Sequence, residues 1–120
     1  MKPHKSIRSF IGAKDFEESK AFYIDLGFSE LSLVENLSYF SIDESLGFYL
    51  QKAYVKDWVD NSMLFLEVED TISYRKMLKD KDLSKYENVR ISKIENRPWG
   101  KVFFLHDPSN ILWQIGEFYN

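Results

Sequence analysis

The 120-residue chain is 44% apolar and 29% charged, a balance that supports a packed core and argues against disorder. It has no cysteine, which excludes disulfide frameworks, zinc–thiolate sites and thiol nucleophiles. A net charge of −3 without a basic cluster makes nucleic acid a poor partner. No apolar run approaches the ~20 residues of a membrane span, and the polar start, Met1 to Arg8, lacks the apolar centre of a signal peptide. A soluble cytoplasmic protein is expected.

The stretch Ser6–Ala13 alternates and predicts a first strand. Asp15 opens a helix with Glu18 at capping-box spacing. Phe16, Tyr23 and Leu26 form its apolar stripe beside Phe22, and Gly27 stops it. Three strands are expected next, over Glu30–Val34, Leu37–Ile42 and Gly47–Lys52, with Glu35-Asn36 as a tight turn between the first two. Ala53–Asn61, which carries Trp58, reads as an irregular polar linker.

The same order then returns. Met63–Val68 is strand-like, and Asp70 or Thr71 caps a second helix containing Ile72, Tyr74, Met77 and Leu78. Val89–Ile94, Lys101–His106 and Ile111–Glu117 are three more strands, the last two separated by the turn Asp107-Pro108-Ser109-Asn110. Asp15 and Asp70 occupy the same place in each half. The chain therefore reads as an α+β protein, one domain over residues 1–120 made of two βαβββ modules, 6–52 and 62–117.

Strand alternation sorts the side chains. Ile7, Ser9 and Ile11 are assigned to the helix side of the first strand, leaving Arg8 and Phe10 on the opposite face. Leu64, Leu66 and Val68 leave Met63, Phe65 and Glu67; Ile111, Trp113 and Ile115 leave Leu112, Gln114 and Gly116; Phe48 and Leu50 leave Tyr49 and Gln51. Trp113, between two isoleucines, is expected in the core. No nucleophile elbow or phosphate loop is present in the sequence. The two histidines, His4 and His106, are isolated, so His106 reads as structural and His4 as part of a tail. Glu67 would be a general base only if desolvated; a solvated carboxylate is the plainer reading.

Three segments, AKDFEESKAFYIDLGF (13–28), MLFLEVED (63–70) and RPWGKVFFLHDPSNILWQIGE (97–117), resemble the vicinal oxygen chelate superfamily. That superfamily includes glyoxalase I, extradiol dioxygenases, fosfomycin resistance enzymes and bleomycin resistance proteins. The resemblance implies two modules whose sheets form a cupped groove, with the helices on the outer face. It also implies metal-ligand positions on four strands, usually His, Glu or Gln. Carried onto this chain they fall on Arg8, Met63, Gln114 and either Tyr49 or Gln51.

Arg8 is a permanent cation without an acceptor, Met63 offers a soft thioether, and the amides are neutral. That set predicts no metal and no cofactor. The expectation is a metal-independent binding protein resembling the bleomycin resistance branch, one that sequesters an antibiotic or other planar aromatic compound. It would be a homodimer, with modules paired within one chain or swapped between two. Its ligand-binding residues would be Arg8, Phe10, Tyr49, Gln51, Trp58, Met63, Phe65, Trp99 and Gln114, and no catalytic residue is assigned. Arg8 would meet either a ligand carboxylate or Glu67 across the sheet. Two alternatives stand beside this. One is a metal-dependent enzyme of the glyoxalase or dioxygenase type with displaced ligands. The other is a fold relative whose filled groove serves association with another protein.

Overall fold

The computed structural model describes residues 3–120. Its first strand, β1 (Phe10–Ala13), leads into helix α1 (Phe16–Asp25). Three strands follow, β2 (Ser29–Val34), β3 (Leu37–Asp43) and β4 (Leu46–Lys52), then a short helix α2 (Lys56–Asp60). The second module runs β5 (Met63–Glu67), α3 (Thr71–Asp80), β6 (Arg90–Ile91), β7 (Glu95–Arg97), β8 (Gly100–His106) and β9 (Leu112–Phe118). Each module makes its own mixed sheet, in the order β1-β4-β3-β2 and β5-β9-β8-β6, with β7 also on β8. In both, the first strand lies parallel to the last and sits at an edge.

Local chemistry sets the helix starts. The Asp15 carboxylate accepts from the Glu18 N–H at 3.0 Å, and Asp70 accepts from the Ile72 and Ser73 N–H groups. The capping box at α1 is only half made, because the Glu18 carboxylate reaches across to accept the Glu87 N–H at 3.0 Å. The tight turns use Asn36, Asn88 and Asn110, all at positive φ, a conformation that asparagine tolerates better than most residues.

Four expectations need correction. The first strand begins at Phe10 instead of Ser6; Ser9 accepts one bond from the Tyr49 N–H and pairing ends there. Ile7, assigned to the helix side, is 98% exposed, since no helix covers the segment before Phe10. The linker 53–61 holds α2, which buries Val59 and carries a Lys56–Asp60 ion pair at 2.5 Å. The single strand expected over Val89–Ile94 is two shorter ones, β6 and β7.

α1 packs on β2 and β4, and α3 on β8 and β9, so each sheet has a helix-covered face. Phe22, Phe40, Phe48, Leu50, Leu78, Phe103, Leu105, Trp113 and Ile115 are buried there in one core spanning both modules. Its junction is polar. The Tyr23 hydroxyl donates to Asp107 at 2.7 Å and accepts from the Trp113 indole N–H at 3.0 Å. Asp107 also accepts from the Ser109 and Ile111 N–H groups. Burial pushes the Asp107 carboxyl from 3.8 up to about 6 against these bonds, and pushes the Tyr23 hydroxyl up as well.

The fold therefore holds the Asp107 proton more tightly than the unfolded chain does. Stability from this group is full below about pH 4 and is lost as pH rises through about 6, an effect of roughly 3 kcal/mol at most. His106, held below its usual value by burial and then by Arg90, slopes the other way near neutrality, so the comparison is with a variant. Asp107→Asn keeps an acceptor for the turn N–H groups and removes the titration. Urea unfolding should show the stability gap between Asp107→Asn and wild type shifting against wild type from pH 4 to 6.5; a pH-independent gap contradicts this assignment.

Candidate functional site

The faces turned away from the helices carry two groups of exposed and half-buried aromatic side chains. On the first sheet the register aligns Phe10, Tyr49, Tyr39 and Leu31 in one row across four strands. Phe10 and Tyr49 stack with centroids 4.6 Å apart, and Tyr39 leans on Tyr49 at 5.4 Å. The Arg8 guanidinium lies 4.3 Å from the Tyr39 ring centre and donates to the Tyr49 hydroxyl at 3.2 Å. It makes no ion pair among the described residues, and Glu67 is exposed elsewhere, so the Arg8–Glu67 bridge does not form in this chain. Gln51 lies in the next row, opposite Gly12 and Leu37. Trp58 of α2 roofs Gly12, where an added Cβ would fall 2.5 Å from the indole.

The second sheet repeats the plan. Phe65 lies opposite Gln114 as Phe10 lies opposite Tyr49. That register makes Tyr49, and not Gln51, the counterpart of Gln114. Phe65, Trp99 and Phe118 form a triangle with centroids 5.0–5.8 Å apart. Phe65 covers Gly116, where an added Cβ would sit 2.4 Å from its ring. The Gln114 amide nitrogen contacts the Met63 sulfur at 2.8 Å. A cleft of about 770 Å³ follows the free edge of β5, between Leu46 and Phe48 on one side and Phe65, Glu67 and Phe118 on the other.

The nine sequence-predicted residues thus fall into two sets, Arg8, Phe10, Tyr49, Gln51 and Trp58 against Met63, Phe65, Trp99 and Gln114. Among the described residues no hydrogen bond or ring contact links the two sets. Tyr39 and Phe118 belong to the same faces and were missed. Alternation of Leu37, Tyr39 and Ser41 against Phe40 signals the first. Extending the last strand one residue past Glu117 signals the second.

Two modules, each a strand, a helix and a run of further strands with the first strand parallel to the last, have the glyoxalase/bleomycin resistance fold. Solved structures agree along nearly the whole chain. A bleomycin-binding protein complexed with bleomycin superposes with a TM-score of 0.80 at 18% identity, covering 97% of this chain and 100% of that one. TnmS3, an antibiotic-binding protein from Streptomyces sp. CB03234, gives 0.76 at 16% identity, covering 99% and 100%. The fosfomycin resistance protein FosX from Listeria monocytogenes, complexed with Mn(II) and sulfate, gives 0.72 at 14%, covering 99% and 93%. No family model and no curated protein matches the sequence.

A fold neighbour solved with Mn(II) makes the donor set the next test. Arg8 and Met63 are counterparts in the two modules, as are Tyr49 and Gln114. Arg8 is cationic and spends a donor on the Tyr49 hydroxyl; the Met63 sulfur is against the Gln114 amide. No group of three His, Cys, Asp or Glu able to hold a metal exists among the described residues. The residues present do not fit a divalent metal, which needs several converging lone pairs. Thermal unfolding with Ni²⁺, Mn²⁺, Zn²⁺ or Fe²⁺ at micromolar concentration should show no saturable shift in Tm; a saturable rise of several degrees with any one contradicts this reading.

Proposed function

We propose that the protein is a metal-independent small-molecule-binding protein that sequesters a planar aromatic compound of the antibiotic type. The observation carrying this reading is the pair of exposed aromatic groups on the open sheet faces. Phe10 and Phe65 are 45% and 43% exposed, while the opposite faces of their strands turn to the core, buried at Ile11 and Ala13 and half-buried at Leu64 and Leu66. Aromatic side chains left this accessible in pairs at stacking distance suit a flat guest, each ring contact adding about 0.5–1.5 kcal/mol beyond area burial. The fold shared with drug-binding proteins supports the reading.

The binding unit in this proposal is a homodimer. Both β1 and β5 are edge strands with unpaired backbone groups. A two-fold contact setting β1 of one copy near β5 of the other uses both edges and repeats itself by symmetry. It faces Arg8, Phe10, Tyr49, Gln51 and Trp58 of one copy toward Met63, Phe65, Trp99 and Gln114 of the second, giving two composite sites. No helix is long and apolar enough to cross a membrane among the described residues.

Two measurements test this. Sedimentation velocity should give a mass near twice the 14.3 kDa of the chain; a monomer at tens of micromolar contradicts the composite site. Titration with a planar antibiotic or an anthraquinone should quench tryptophan fluorescence saturably. Phe65→Ala should weaken binding about tenfold without changing the far-ultraviolet spectrum. Flat titrations across bleomycin and carboxylated aromatic compounds would remove the function.

A further inference from the structure

We infer that Arg8 selects the charge of the guest, so that the site takes a planar aromatic anion, a carboxylate or an equivalent oxyanion on a fused ring system. The inference rests on the binding reading above and adds to it the ligand class and the residue that sets it.

Arg8 is held in place, and its charge is not neutralised. One face of the guanidinium lies over the Tyr39 ring at 4.3 Å, and one N–H donates to the Tyr49 hydroxyl at 3.2 Å. Both partners are neutral. The ion pairs among the described residues involve Lys20, Lys56, Lys76, Lys85 and Arg97, and none involves Arg8. A guanidinium anchored this way spends one N–H on Tyr49 and keeps four others, and its planar fork suits a carboxylate.

The neighbouring surface supplies the aromatic half of the recognition. The Phe10–Tyr49 stack adjoins Arg8 through the Tyr49 hydroxyl, so an acid on the edge of a ring system would meet the guanidinium while its rings lie on the stack. The counterpart of Arg8 in the second module is Met63, which carries no charge. The two halves of the proposed site therefore differ: one is cationic and aromatic, the other neutral and aromatic. Glu67 shares the exposed face of β5 with Met63 and Phe65, so the proposed dimer turns its carboxylate toward the same composite site. An Arg8–Glu67 pair between copies is the rival use of the guanidinium.

The test uses three probes on one scaffold: anthraquinone-2-carboxylate, its neutral carboxamide, and the cationic 2-aminomethyl analogue. Affinities are read by tryptophan quenching at low salt and at 0.5 M salt, on wild type, Arg8→Gln and Arg8→Lys. Wild type should bind the carboxylate about tenfold tighter than the carboxamide, and the cationic probe weakest. Arg8→Gln should bring carboxylate and carboxamide within about twofold, with the larger loss on the carboxylate. Arg8→Lys should restore part of the preference and lose part, because it keeps the charge without the fork. Equal affinity of wild type for all three, or preference for the cation, overturns charge selection while leaving small-molecule binding intact. Failure of every probe to bind overturns both. If Arg8→Gln converts a dimer to monomers in sedimentation, the guanidinium belongs to an intersubunit ion pair and the inference falls.

Discussion

The buried Tyr23 hydroxyl is the contact on which the architecture turns. It sits on α1 of the first module, donates to Asp107 in the β8–β9 turn, and accepts from Trp113 on β9 of the second. Around it pack Phe28, Phe40, Phe48 and Trp113 at 5.0–6.0 Å between centroids. A buried hydroxyl and a buried carboxylate are costly unless paired, so this junction admits few alternative arrangements. Secondary ties reinforce it: the Lys14 N–H donates to the Ser109 hydroxyl at 2.9 Å, and the Tyr86 hydroxyl donates to Asp25. The helix-covered faces of both modules are thereby committed to one shared core, and the opposite faces are turned outward.

That division explains the distribution of aromatic residues. Phe22, Phe40, Phe48, Phe103 and Trp113 are packed against each other with 2% exposure or less. Phe10, Phe65, Trp99 and Phe118 are at least a third exposed on the open faces, Phe10 against Tyr49 and the other three against one another. Glycine makes the second arrangement possible, since Gly12 and Gly116 leave the space that the rings of Trp58 and Phe65 occupy. Alternation along each strand thus separates residues that hold the protein together from residues available to a guest or a second copy. The same alternation places Arg8, Met63, Tyr49 and Gln114 on the open faces, at the positions where the sequence resemblance implies metal ligands. Their atoms are unsuited to that use, so the fold here carries a different surface chemistry.

Much of this was legible in the sequence because period-two alternation and Asp caps are local signals. The faces of β4, β5 and β9 follow from residue order alone, and Trp113 is core because Ile111 and Ile115 flank it in the alternation. What was not legible depended on distant partners. The alternation of Ser6–Ser9 continues in sequence, yet no helix lies above it, and Ile7 is left exposed. Glu18 has the spacing of a capping box, but the Glu87 N–H claims its carboxylate. The five-residue α2 is too short for a periodic signal, and its place is set by burying Val59 and by Trp58 lying on Gly12. Alternation along β3 puts Tyr39 on the open face, but the Arg8 guanidinium over its ring is a long-range contact that no local pattern carries.

The central claim is that the two outward aromatic faces act as one receptor when two chains combine. Nuclear magnetic resonance with labelled aromatic side chains tests it directly, during titration with a flat polycyclic compound. Resonances of Phe10 and Tyr49 should move together with those of Phe65 and Trp99, along a single saturation curve reaching one guest per chain, while Phe40, Phe103 and Trp113 stay in place. Movement restricted to one of the two clusters, or concentrated in the interior rings, would contradict the account.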